Sequence, residues 1–191
     1  MMRTINKVGY MTGQCLVAMP GMGDERFHKA VVFVCAHTSE GAMGLVINRA
    51  LNVITFPELL DQLHIDSTPR CAHVRVHFGG PVEEGRGFVL HTTDYLKDST
   101  LVVDESFSLT ANVDILRDMA NGDGPRRSLM ALGYSGWSAG QLDAEILQNL
   151  WLTVPPDEDL VFGPDLSLKW NMALDRLGVD PNMLNESAGR A

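Results

Sequence analysis

The chain is short of cysteine, of basic residues and of long apolar runs, and each shortage removes a class of protein. Its three cysteines, Cys15, Cys35 and Cys71, form neither an even disulfide framework nor a C-x-x-C pair. Free thiols in a reducing compartment are expected, with no structural zinc and no cofactor motif. No run of about 18 apolar residues reads as a membrane helix. Met1 to Tyr10 also lacks the basic-then-apolar order of a signal peptide, so a cytoplasmic location is expected. Lysine and arginine number 15 against 24 acidic residues, a net charge of −9. That is the wrong sign for a broad surface that displaces counterions from nucleic acid, and no helix-turn-helix signature compensates. The densest basic spot, Arg126-Arg127 after Gly124-Pro125, reads as a solvated strand entrance.

What is present is globular. In 191 residues, 45% hydrophobic and 20% charged content suits one domain that buries its own core. Short β-like runs cover Gln14 to Met19, Val31 to His37, Met43 to Asn48, Ala72 to Phe78 and Arg86 to His91. Thr100 to Val103, Ser128 to Gly133, Leu150 to Val154 and Leu160 to Phe162 continue the pattern. Glycine turns separate the early runs, notably Gly21-Met22-Gly23 and Gly79-Gly80-Pro81. Helix signals appear at four places. Thr55 with Glu58 forms a capping box, Asn112 can cap a helix with Ile115, Leu116 and Met119 inward, and Ser138 with Gln141 repeats the box. Leu166, Trp170, Ala173, Leu174 and Leu177 follow helical spacing, with Gly178 at the C-cap position. Strands in runs with occasional helices predict an α+β fold with a largely antiparallel sheet. Residues 180–191, rich in Asn, Ser and Gly, are expected to form a loose tail.

Several residues invite chemistry. Cys35 and His37, two apart in an apolar run, share a face if the strand is regular, which suggests a thiol–imidazole dyad. Their spacing of about 6.5 Å along a strand exceeds a hydrogen bond, however, and an apolar setting makes a thiol inert. A packed cysteine beside a hydrogen-bonded histidine is the plainer expectation. Cys71, His73 and His77 look like metal ligands, yet a straight strand separates the outer pair by about 20 Å. With Ala72, Val74, Val76 and Phe78 as its apolar face, that strand should turn Cys71, His73, Arg75 and His77 to solvent. Gly133-Tyr134-Ser135-Gly136-Trp137 misses the G-x-S-x-G elbow by one place.

Taken in order, Leu16-Val17-Ala18-Met19-Pro20, Gly41-Ala42-Met43-Gly44 with Asn48-Arg49, Gly79-Gly80-Pro81, Arg86-Gly87-Phe88-Val89-Leu90-His91, Leu132-Gly133-Tyr134 and Gly140-Gln141-Leu142 with Glu145 and Trp151-Leu152 carry a resemblance. The chain resembles the YqgE/AlgH family of bacterial proteins from about Gly13 to the C-terminus. The resemblance implies a bifurcated, mostly antiparallel sheet curled into a pseudo-barrel with about four helices. It brings the label of transcriptional regulator but no substrate or cofactor. The family pattern also includes Cys35, His37, Trp137 and Gln141. Ala36, Ala50 and Arg190 stand where the family usually has Glu, Pro and His, and Ser135 where Ala is frequent. Loss of the acid beside His37 weakens a catalytic dyad.

These observations give an expectation of a non-enzymatic regulatory protein, acting through a partner protein or a small ligand, as a monomer or weak homodimer and without sequence-specific nucleic-acid binding. One rival is a small-molecule or anion site built from His37, Asn48, Arg86, Tyr134 and Gln141. A second is a cysteine-dependent activity at Cys35 with His37. A third is that the glycines and aromatics serve only turns and core.

Overall fold

In the computed structural model the described residues are 10–184. They form a nine-stranded curled sheet in the order β6-β7-β5-β8-β3-β2-β1-β9, with β4 paired beside β8. The strands are β1 Cys15–Ala18, β2 Val31–Thr38, β3 Gly41–Val46, β4 Val76–Phe78, β5 Val82–His91, β6 Thr100–Val102, β7 Ser108–Thr110, β8 Ser128–Ser138 and β9 Trp151–Val154. Every pairing is antiparallel except β4 with β8. Five α-helices accompany them: α1 Phe56–Gln62, α2 Val113–Asn121, α3 Gln141–Leu147, α4 Glu158–Phe162 and α5 Lys169–Arg176. The expected α+β fold with a bifurcated sheet is what the chain adopts.

The sheet splits at β8, and the glycines explain how. The first half of β8 pairs with β5 on one edge and β4 on the other, through Met130 to Leu132, while Gly44 to Gly41 of β3 pair with Ser135 to Ser138. The link Gly79-Gly80-Pro81 carries the chain from β4 across β8 to β5, backbone against backbone. A Cβ on Gly80 would collide with the Tyr134 backbone, and one on Gly133, whose φ is +74°, would strike the Gly80 carbonyl. Only glycine allows both that conformation and that approach.

Three apolar clusters follow from strands that are apolar on both faces. Inside the curl, Val31, Phe33, Leu45, Leu90 and Phe107 pack against Leu160, Val161, Trp170 and Leu174 of α4 and α5. The outer face of the β1–β3 region, with Val32, Val34 and Trp151, is covered by Leu142 of α3. The outer face at β5 and β8, with Val89 and Met130, is covered by Phe56 and Leu60 of α1 and Ile115 and Leu116 of α2. Thr55 and Asn112 cap α1 and α2, and Gly178 follows α5 with φ +70°.

Four local expectations are corrected. Ala72 to Phe78 is not one strand: Pro69–His73 form a 3-10 turn, only Val76–Phe78 is extended, and Cys71 and His77 are buried. The Thr68-Pro69 start explains it, since Thr68 N–H donates to the Cys71 sulfur and Thr68 Oγ1 donates to the Ala120 carbonyl. Leu160 to Phe162 is helical, because Asp157 caps the Leu160 N–H and starts α4. Gly140, not Ser138, is the N-cap of α3; Gln141 Oε1 instead accepts from the Ser138 N–H and hydroxyl. Finally, a bulge in β2 between Val34 and Ala36 breaks the alternation around Cys35. Of the expected tail, Pro181–Met183 form a 3-10 turn, and residues 185–191 lie outside the described residues. No helix among the described residues is long and apolar enough to cross a membrane.

Candidate functional site

The β2 bulge separates Cys35 from His37. Cys35 stays with the interior cluster, its thiol 3.9 Å from the Phe33 carbonyl. His37 lies on the α3 side, where its Nδ1 accepts from the Met11 N–H at 2.9 Å and its Nε2 sits 3.4 Å from Asp143 Oδ2. Tyr10 packs edge-on against its ring. Acceptance at Nδ1 puts the neutral ring's proton on Nε2, facing Asp143. Burial pushes the Cys35 thiol far above the ordinary range, and Cys15 up to about 12. Protonated, covered and across the sheet from the imidazole, Cys35 has no means of acting as a nucleophile in this geometry. The shared face expected for the two side chains is thus overturned by one extra residue.

Asn48 and Gln141 have local duties. Asn48 Oδ1 accepts from the Val31 N–H and its Nδ2 donates to the Lys29 carbonyl, fixing the start of β2. Gln141 closes the turn before α3. Arg86 and Tyr134, by contrast, meet at one open hollow of about 760 Å³. Of the five candidate ligand residues, these two come together; His37, Asn48 and Gln141 lie elsewhere.

The hollow exists because β5 leaves β8. Pairing jumps from Val82 opposite Tyr134 to Gly87 opposite Leu132, and Glu83 takes a left-handed φ of 46°. The looped-out Glu83–Arg86 segment hangs Arg86 over the gap. Beyond Tyr134, Gly136 and Trp137 of β8 flank the space, with Ala36 and Met43 across it and Phe88, Leu101 and Leu109 completing an apolar floor and wall. It opens at the β2–β3 hairpin tip, while α4 and α5 pack at the strands' other ends. Small residues at this end of the sheet, Ala36 after the β2 bulge and Gly136 on β8, fail to fill what Phe33 and Leu45 fill on the other side of the bulge. The bulge was the missing signal; it shifts Ala36 onto the concave side, and nothing local in an apolar run announces it.

Two charged side chains line the hollow, Arg86 and, at the hairpin tip, Glu40. The Arg86 guanidinium stands 5.0 Å over the Phe88 ring and 3.4 Å from Glu83 Oε2, with both side chains of that pair more than half exposed. Tyr134 meets Phe88 edge-on at 5.8 Å. An exposed, weakly paired cation beside an apolar trough can hold the acid group of an amphipathic molecule. The Arg126-Arg127 pair offers no such cation, since both pair with Glu158 and Arg127 also with Asp159. Among the described residues no group of three or more His, Cys, Asp or Glu is arranged to hold a metal ion.

A curled, split-sheet α+β domain with an open hollow at the split is the class these features define. A family model described as AlgH-like matches residues 15–182, and the chain belongs to that family. A UPF0301 protein of Rhodospirillum rubrum is 61% identical over 183 residues, covering 96% of this chain and 95% of that one. One from Rhodopseudomonas palustris is 51% identical over 195 residues, covering 98% and 89%. The solution structure of the AlgH protein of Pseudomonas aeruginosa superposes with a TM-score of 0.80 at 40% identity, over 94% of each chain. A crystal structure of a Corynebacterium diphtheriae protein shares the fold, with a TM-score of 0.71 at 18% identity, over 87% of this chain and 86% of that one.

Proposed function

We propose that this chain is a non-enzymatic regulatory protein of the cytoplasm that binds a small amphipathic acid in the hollow and conveys its occupancy to a partner protein. The observation that carries this reading is the convergence of Arg86 and Tyr134 over the apolar surface of Met43, Phe88 and Leu109. The volume, about 760 Å³, lies in the range of small-molecule sites, and their mixture of apolar wall with a few polar groups is matched. A net charge of −9 argues against gripping DNA as the means of regulation. The covered, protonated Cys35 argues against a cysteine-dependent activity.

Ligand-observed NMR with a panel of aliphatic and aromatic carboxylic acids tests the reading. Saturable binding that falls about tenfold or more in Arg86→Ala and in Tyr134→Ala is expected, since each removes a contact worth about 1 to 3 kcal/mol. A panel with no saturable member, or binding indifferent to both substitutions, would remove the hollow as the ligand site. A mobility shift at physiological salt tests the regulatory route: specific submicromolar retention of a promoter fragment would replace the partner protein by DNA.

A further inference from the structure

Basic side chains are scarce in this chain, yet four of them line one cavity distinct from the hollow. A space of about 240 Å³ lies between the β4–β8 pair and the segment joining α4 to α5. His73, Arg75, His77 and Lys169 contribute to its wall, and no aspartate or glutamate does. In a protein of net charge −9, an acid-free cavity with two cations, Lys169 and Arg75, on its wall is a local reversal of sign.

Lys169 is the deepest of the four, with 1% of its surface exposed. Its Nζ donates to the Ile47 carbonyl at 3.0 Å and to the Val161 carbonyl at 2.7 Å. These bonds use two of three ammonium donors and supply no countercharge. Lys169 joins none of the ion pairs among the described residues; after burial, the Cys15 thiol and the guanidinium groups of Arg127 and Arg75 act on it most. Arg127 is already paired with Glu158 and Asp159. Arg75 joins none of the ion pairs among the described residues. Burial of a cation without an anion is unfavourable, and burial accordingly holds Lys169 down to about 8. His77 stands on the same wall, 7% exposed, with Nδ1 on the Met130 carbonyl at 2.9 Å.

We propose that this cavity is a binding site for a small oxyanion, a carboxylate or phosphate group, held by the Lys169 ammonium with Arg75 at its mouth and His77 on its wall. The third Lys169 donor and the free guanidinium supply charge-assisted hydrogen bonds. Phe162, Pro164 and Leu166 bring apolar surface that keeps water away and strengthens them. Against about 30 Å³ for a water molecule in the liquid, the space admits an ion of several heavy atoms. The site shares no lining residue with the hollow, so it stands whether or not a ligand occupies Arg86 and Tyr134.

The test uses the full chain, with inorganic phosphate and acetate titrated separately at constant ionic strength. Calorimetry and the melting temperature are the readouts. Saturable binding with a rise in melting temperature is expected from at least one anion, and phosphate active with acetate silent, or the reverse, identifies the chemistry. Arg75→Ala should weaken binding about tenfold or more and Lys169→Met should abolish it, while Arg117→Ala, remote and surface-exposed, should leave it intact. Should Lys169→Met fail to fold, displacement of the His77 ring resonances by the anion, lost in Arg75→Ala, gives the same answer. No saturable binding by either anion, or binding unchanged in Arg75→Ala with His77 silent, would overturn the proposal.

Discussion

Along β8, Ser128–Leu132 is hydrogen-bonded on both edges, to β5 and in part to β4, whereas Ser135–Ser138 pairs with β3 alone. The first half presents Leu129, Met130 and Ala131 to filled cores. The second half presents Gly136 to an open hollow. One crossing, Gly79-Gly80 over Gly133-Tyr134, divides them. Side chains fill the space where both edges are occupied, and an open hollow is left where a neighbour strand departs. The same contrast runs through β2, packed from Val31 to Cys35 and bordered by space from Ala36 onward.

The sharpest way to break that division is at the crossing. Gly133→Ala should cost at least about 3 kcal/mol, because it adds left-handed strain to a collision with the Gly80 carbonyl. A urea midpoint close to that of the parent would show that the two chains do not cross so closely. Trp170→Ala, in the filled interior, should cost about 3 to 5 kcal/mol; the indole is buried and its Nε1 donates to the Ala18 carbonyl at 2.9 Å. An unchanged midpoint would make α5 peripheral.

Acid should attack the filled half first. Burial holds His77 down to about 4 from 6.5 and lowers His91 in the same way. The unfolded chain therefore takes up these protons first. Stability is fully present above the unfolded value and is lost as pH falls from about 6.5 through 4. For His77 the loss amounts to about 3 kcal/mol. His77→Asn, which keeps an N–H donor for the Met130 carbonyl, should flatten most of that decline. An equally steep decline in the variant would assign acid sensitivity to other groups, such as Asp94 or Asp157, whose lowered carboxyls also lose stability on protonation.

Smaller effects separate surface from core. With Cys15 and Cys71 replaced, an alkylating reagent at pH 7 should modify Cys35 far more slowly in the folded protein than after unfolding, because the thiol is covered and protonated. Rapid, His37-dependent labelling would reinstate the dyad. Arg126→Ala should move stability by less than about 1 kcal/mol, since its ion pair with Glu158 is solvent-exposed.

Much of the filled half was legible in the sequence. Val31 to His37 is apolar on both faces, and a strand of that kind declares its burial; Thr55, Asn112 and Gly178 marked helix ends through capping chemistry that needs no distant partner. What escaped depended on partners far along the chain. Ser108 and Thr110 are polar yet buried, with Thr110 and the Thr92 carbonyl hydrogen-bonded to His91, so β7 left no apolar signature. Val76 is buried as its place on the apolar face implies, but His77 is buried too, hydrogen-bonded to the Met130 carbonyl of β8, which the alternation around it could not reveal. Leu160 to Phe162 is a short apolar run that reads equally as strand or helix, and Asp157 decided it. Arg86 and Tyr134 could be singled out but not brought together, because their meeting depends on where β5 parts from β8.

Filling the hollow without disturbing the crossing tests the division most directly. A Cβ at Gly136 would meet the Tyr134 ring at 3.4 Å and Val82 at 3.8 Å, ordinary contacts on an exposed strand position. Gly136→Leu should therefore fold with a denaturation midpoint within about 1 kcal/mol of the parent. In ¹H–¹⁵N NMR titrations with octanoate and phenylacetate, the parent should show saturable shifts at Ala36, Met43 and Tyr134, and Gly136→Leu should show none. Shifts of equal size and affinity in the filled variant, or none in the parent, would contradict the assignment of binding to the half of β8 that β5 leaves uncovered.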